Sequence, residues 1–242
     1  MKMHNITKLC LFIMLILVLT GCGKSEFNDL TAAEIISSST ERMTSLKGFE
    51  FIIERSGESV FLDDSGIISF KRAEGQFNAP DEVFAMVRVI GPGLVTEVQI
   101  ISIAGQQWET NFLTGDWQEA NPLYSFNPSI LFDANQGIQS ILANELESPI
   151  LQGLGELAEL PGKELYLIEA TTDGARAHDM SLGMIDKETI QVKLWIDPDT
   201  FDLHRIKMID PINPGQAEDT IWQIDFWNFD TNFKIEQPIL DE

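Results

Sequence analysis

The sequence predicts an α+β protein: a curved antiparallel sheet with helices packed over its concave side. Three observations carry this reading. From residue 49 onward, most of the chain is short strand-like segments separated by Gly, Pro, Asp and Asn, the pattern of antiparallel strands joined by turns. Helical spacing is confined to a few short stretches. In residues 83–90 both side-chain sets are largely apolar, Val83, Ala85, Val87 and Val89 on one and Phe84, Met86 and Ile90 on the other. A strand of that kind must be covered on both faces, and a bent sheet with helices in its hollow meets the requirement.

The elements follow in order. Residues 31–47 read as a helix: Ile35, Ile36, Met43 and Leu46 share a face, Thr31 with Glu34 forms a capping box, and Gly48 stops it. Strands follow at 49–54, 67–77, 83–90 and 94–104, with the Asp63-Asp64-Ser65-Gly66 and Gly91-Pro92-Gly93 turns between them. Residues 107–112, the turn at Thr114-Gly115-Asp116 and Trp117 make a short hairpin. The middle changes character. A loop at 121–128 leads to a short helix at 134–144, and 148–157 also reads as helical, ending before Pro161-Gly162. Residues 164–171 return to strand spacing, and 174–185 fit a small helix or a loop equally well. Strands at 189–196, 203–209 and 221–229 complete the chain, the first two joined by a tight turn at Asp197-Pro198-Asp199-Thr200. With no internal repeat and no linker, residues 31–242 form one domain.

The N-terminus carries a different signal. Lys2 and Lys8 precede or open an apolar run at 9–19, and no acidic residue occurs before Glu26. That run is too short for a bilayer span, which needs about 20 residues, and has the length of a signal-peptide core. It ends in Leu19-Thr20-Gly21-Cys22, an aliphatic residue and two small ones before a cysteine, matching the lipobox of bacterial lipoproteins. Residues 1–21 are therefore expected to be removed. Cys22 is expected to carry the acyl groups, and residues 22–30 to tether the domain to the extracytoplasmic face of a cell membrane. The rival reading, an uncleaved anchor with a chance cysteine, leaves the agreement of charge, length and small residues unexplained. Cys10 leaves with the signal and Cys22 is consumed, so no intramolecular disulfide is expected.

Charge excludes some partners. The chain carries 38 acidic against 16 basic residues, a net charge of −22, and loss of Lys2 and Lys8 takes it to −24. Such a surface repels nucleic-acid phosphates and anionic headgroups alike, so membrane residence must come from acyl chains. Most of the carboxylates, including Glu145, Glu147, Glu156 and Glu159, read as solvated helix faces.

No catalytic or cofactor constellation stands out. His4 leaves with the signal, His178 lacks a nucleophile to activate, and His204 reads as an ordinary exposed residue beside Arg205. Asp197, Asp199 and Asp202 have oxygen ligands at suggestive spacing, but the positions that a calcium loop reserves for glycine and glutamate hold Asp202 and Met208. A hairpin turn accounts for them. There is no zinc cluster, and Gly91-Pro92-Gly93 lacks the lysine and helix of a phosphate loop. A non-enzymatic protein without cofactor or metal is expected.

Across the whole mature chain the order of elements resembles the LppX/LprA/LprF/LprG group of bacterial lipoproteins, related in fold to the carriers LolA and LolB. The resemblance rests on the lipobox and the helix ending in MTSLKGFEF, then YSFNPSILFDANQGIQSILAN, GKELYLIEATTD, IQVKLWIDPDTFDLHRIKM and the aromatic strand TIWQIDFWNFD. It implies a half-barrel of antiparallel strands around helices, enclosing a hydrophobic cavity for acylated lipids or glycolipids. It further implies a role in moving them, with an envelope transporter as a partner and a monomeric state. The inward residues of the sheet are then the candidate acyl-chain contacts: Phe51, Ile53, Phe70, Phe84, Met86, Val98, Ile100, Leu194 and Ile196. The other reading is a non-enzymatic envelope interaction or structural lipoprotein whose core is closed.

Overall fold

Helix α1 (Ala32–Ser45) begins where its sequence requires: Thr31 Oγ1 accepts from Glu34 N at 3.3 Å, and the Glu34 carboxylate accepts from Thr31 N at 2.8 Å. Each bond satisfies an amide that the first turn would otherwise leave unpaired. Ile35, Ile36, Met43 and the C-capping Leu46 are buried, and the polar face stays in solvent. The computed structural model describes residues 30–57, 59–61, 67–91, 93–121, 127–181, 183–211 and 217–240. The expected signal peptide, Cys22, nearly all of the tether and the turn at 63–66 lie outside the described residues.

The strands are β1 (Gly48–Ser56), β2 (Ser69–Asn78), β3 (Glu82–Gly91), β4 (Leu94–Ile103), β5 (Gln106–Thr110), β6 (Trp117–Glu119), β7 (Glu147–Glu156), β8 (Glu164–Asp173), β9 (Thr189–Ile196), β10 (Leu203–Asp210) and β11 (Thr220–Trp227). They form one eleven-stranded sheet in the order β6-β5-β4-β3-β2-β1-β11-β10-β9-β8-β7. Neighbours pair antiparallel throughout, and β6 and β7 are free edges, so the sheet is an open half-barrel. The N-terminal and C-terminal strand runs join where β1 pairs with β11, Ile53 opposite Ile224.

Helical pieces are few: a 3-10 turn (Pro128–Phe132), α2 (Ile138–Asn144) and α3 (Ala175–Met180). The 3-10 turn delivers Phe132 among sheet aromatics, with ring centroids 4.7 Å from Phe51, 5.1 Å from Phe49 and 5.3 Å from Phe77. These side chains are almost fully buried and fix the turn on the sheet.

Three expectations are corrected. Residues 148–157 are not helical; they belong to edge strand β7. Ile150, Leu151, Leu154 and Leu157 mimic helical spacing because register shifts interrupt the strand's alternation, at Glu147/Ile150 and Leu151/Gly153. Pro149 and the irregular pairing are acceptable at an edge, where they discourage pairing with another chain. His204 is buried, not exposed. Its imidazole lies 3.2 Å from Lys163 Nζ and meets the Phe229 ring edge-on at 5.3 Å. The acidic pairs are not solvated helix faces either: Glu145 pairs with Arg176, Glu159 reaches Arg205 at 3.2 Å, and Glu147 and Glu156 lie on β7.

Candidate functional site

One inward row of side chains crosses eight strands in register: Ile168, Leu194, Ile206, Ile224, Ile53, Ala73, Val87 and Val98. Its size changes along the way. From β8 to β1 the row is all Ile and Leu, and from β2 to β4 it is Ala and Val. Ala85 on β3 adds a second small inward residue. Side chains that stop short of the opposing layer leave room, since protein interiors are otherwise close-packed.

The room is a cavity of about 220 Å³. Its floor is Phe51, Ile53, Phe70, Ala73, Ala85, Val87, Val89, Val98, Ile100, Met208, Trp222 and Ile224 of the sheet. Its cover is Pro128 and Leu131 of the 3-10 turn, Ile138 of α2, Ala177 and Met180 of α3, and Met184 and Ile185 beyond α3. Polar groups are sparse. Ser181 Oγ donates to the His178 carbonyl at 3.1 Å and accepts from Ile185 N at 3.0 Å, while Glu109 accepts from Gln118 at 3.4 Å. The Trp222 indole N–H is buried and has no hydrogen-bond partner among the described residues. The His178 ring sits 2.7 Å from the Ile185 carbonyl, tying the segment after α3 back onto that helix.

Met180 also lines a second pocket of about 650 Å³, bordered mostly by polar and charged residues. Glu145, Glu147, Asp173 and Asp179 border it with Arg176 and Gln136. The apolar cavity and a polar pocket thus share one flexible thioether side chain. Among the described residues, no group of three or more His, Cys, Asp or Glu is placed to hold a metal ion, and no helix is long and apolar enough to cross a membrane.

Of the nine candidate contacts, Phe51, Ile53, Phe70, Val98 and Ile100 line the cavity. Phe84 and Met86 do not. They share their strand face with Glu82 and Arg88, and that charged company marks the outward side of β3. Leu194 and Ile196 face inward and are fully buried, but at the well-packed end of the row. Ala73, Ala85, Val87 and Trp222 also line the cavity and were not among the nine. The alternative set on β3 was visible as Ala85, Val87 and Val89, and the parity of Arg88 could have chosen it.

Several charged groups meet at the β9–β10 turn. Asp197 accepts from the turn amides of Asp199 at 2.8 Å and Thr200 at 3.1 Å, and pairs with Lys163. Burial pushes its carboxyl upward, but Lys163 and the two amides outweigh burial and hold it below the ordinary aspartate value. His204 is shifted down, first by burial and then by Lys163, against the opposing pull of Asp197 and Asp202. The imidazole is therefore neutral near neutral pH. These groups hold a turn in place and lie apart from the cavity lining.

The architecture has close parallels. A structure of LprF from Mycobacterium bovis matches with a TM-score of 0.63 at 16% identity, over 86% of this chain and 96% of that one. The lipoprotein LppX from Mycobacterium tuberculosis matches with a TM-score of 0.57 at 15% identity, over 85% of this chain and 98% of that one. At such identities the likeness shows the fold. No curated protein matches the chain. The model of the LppX_LprAFG lipoprotein family matches residues 31–235, which is nearly all of the described domain. The chain belongs to the LppX_LprAFG lipoprotein family.

Proposed function

We propose that the chain is a membrane-anchored envelope lipoprotein that holds an acyl chain of a lipid or glycolipid in the cavity under α3 and carries it between membrane surfaces. The observation that carries this reading is the step from Ile and Leu to Ala and Val along the inward row, which leaves the cavity open in an otherwise packed core. Burying a methylene there releases about 0.8 kcal/mol, the same as burying it in a bilayer. A carrier and a membrane then compete nearly evenly, which suits reversible loading.

The volume sets a limit. Ligand pockets usually measure about 300–1,000 Å³, so the 220 Å³ cavity takes part of one chain as it stands. Longer chains require the cover to move outward. Met180 and Met184 are adaptable side chains suited to that adjustment, and the polar pocket beyond Met180 offers room for a headgroup. The modest volume also favours a second reading, an envelope interaction lipoprotein whose core stays closed.

Two experiments separate the parts. Delipidated mature chain should take up a fluorescent fatty acid saturably, and absence of uptake contradicts the carrier. Cys22→Ser should release the protein from membranes into the soluble fraction. Continued sedimentation with membranes contradicts acylation at Cys22.

A further inference from the structure

The convex face of the sheet carries a counterpart of the inward row. Lys207, Gln223, Glu54, Arg72, Arg88 and Glu97 stand in register from β10 to β4, each next in sequence to a member of the apolar row. Two residues further toward one end of the strands the character changes. Ile209 pairs with Ile221 and Ile90 with Val95, while Phe61 bridges to Ser69, the other partner of Ile90. Phe61, Ile90 and Val95 are 46%, 38% and 63% exposed, and Leu94 at the β3–β4 turn is 45% exposed. One end of the half-barrel thus presents an apolar rim backed by a charged row.

A pocket of about 330 Å³ joins the two, lined by Ile221 of the rim and by Lys71, Arg72, Arg88 and Lys207. Among the described residues, Glu54 is the one acid in its lining. Arg72 pairs with Glu74 and Arg88 with Glu97. Lys71, the extra residue where the β2–β3 register shifts, and Lys207 have no carboxylate partner among the described residues. In a chain of net charge −22 such a cluster stands out. Charges are screened over about 8 Å at physiological ionic strength, so these cations, and not the remote carboxylates, set the attraction felt by an anion seated here.

The spacing of rim and cations fits a bilayer. Two residues of strand span about 7 Å, and the headgroup layer between hydrocarbon and water is about 5–7 Å deep. With the rim at the hydrocarbon edge, the cations stand level with the lipid phosphates. We propose that this end of the half-barrel docks on a bilayer of anionic phospholipid, with Ile90, Leu94 and Val95 entering the interface and Lys71, Arg88 and Lys207 binding phosphates. The proposal does not depend on what the cavity holds. Phe70 and Val89 of the cavity floor are the chain neighbours of Lys71 and Ile90, so docking sets the cavity beside the membrane.

The test uses residues 22–242 carrying Cys22→Ser, so that no acyl anchor contributes. The protein should float with vesicles of phosphatidylglycerol and phosphatidylcholine in equal parts, far more than with phosphatidylcholine alone, and should be released as salt is raised. Each Lys or Arg near an anionic surface strengthens binding about fivefold, so Lys71→Gln with Lys207→Gln should weaken it about thirtyfold. Val95→Asp, which puts a charge in the rim, should weaken it about tenfold or more. Both variants change surface side chains and should melt as the parent does. Excess soluble glycerol phosphate should leave the protein on the vesicles. A parent that ignores anionic vesicles, binding indifferent to salt, or folded variants that bind as the parent does overturn the proposal. Full release by glycerol phosphate also overturns it, making the pocket a site for a free phosphate ester. Fatty-acid uptake by the cavity is unaffected in every case.

Discussion

Arg42 Nε donates to Asp202 Oδ1 at 2.7 Å, across 160 residues of sequence, and ties α1 to the turn that joins β9 to β10. The same guanidinium reaches Asp230 at 2.8 Å, just beyond β11. Asp202 is also fixed by Thr200 Oγ1 at 2.8 Å, so both of its oxygens are engaged. One helical arginine thereby holds a hairpin turn and the end of the last strand.

Arg42→Ala should therefore destabilise the domain by about 1–2 kcal/mol, nearly all of it from the shielded Asp202 contact. The Asp230 pair is half exposed and contributes little. Thermal unfolding should show a melting point roughly 3–6 °C lower, while uptake of a fluorescent fatty acid should be unchanged, since Arg42 does not line the cavity.

Phe132 is the structural keystone of the cover. Its ring packs among Phe49, Phe51, Phe77 and Phe226. Phe132→Ala should cost about 3–5 kcal/mol and loosen the 3-10 turn that brings Leu131 over the cavity. Denaturant unfolding measures the loss, and hydrogen exchange should show faster opening around residues 127–133 than in β8–β10.

Ala85→Leu separates an empty cavity from a packed interior. In a filled core, adding three carbons costs about 1–3 kcal/mol. Ala85 faces open space, so the melting point should hold or rise, and fatty-acid uptake should fall at least tenfold. A drop in stability with uptake intact would show that the space is not where the structure places it.

Asp210 tests the electrostatics. Its carboxyl is pushed up by burial, helped by Asp186 and Asp219, and only partly offset by the Asp186 amide it accepts at 3.0 Å. A folded value above the ordinary 3.8 means that the folded state binds this proton more readily than the unfolded state. Ionised Asp210 thus weakens the fold above its raised value, and the penalty fades as pH falls toward 3.8. Asp210→Asn keeps an acceptor for the amide and removes the charge. It should raise the melting point at neutral pH, with an advantage that shrinks steadily on acidification.

Much of this architecture was legible in the sequence because it is written in local chemistry. Thr31 and Glu34 announce α1, and the Asp197-Pro198-Asp199-Thr200 turn separates two strands with clear alternation, β9 and β10. What escaped depends on partners. β7 hid behind helical spacing because its bulges are set by pairing with β8, which its own residues do not reveal. Phe84 and Met86 read as the inward set of β3 because both faces are apolar over most of the strand, and the charged residues that mark the outward side, Glu82 and Arg88, sit only near its ends. Trp222 was recognised as one of several aromatics on its strand, but a donor without an acceptor is a three-dimensional property. The cavity itself arises where Ala73 on β2 comes into register with Val87 on β3, beside Ala85 on the same face, a meeting of small residues from two different strands.

The central claim is that the space beside these small residues takes a lipid chain. Native mass spectrometry of the mature chain, purified from its own envelope without detergent exchange, tests it most directly. The account predicts a population heavier by the mass of a lipid, lost after solvent extraction and absent from Ala85→Leu. A single mass equal to the acylated polypeptide, unchanged by extraction or by the substitution, would contradict it.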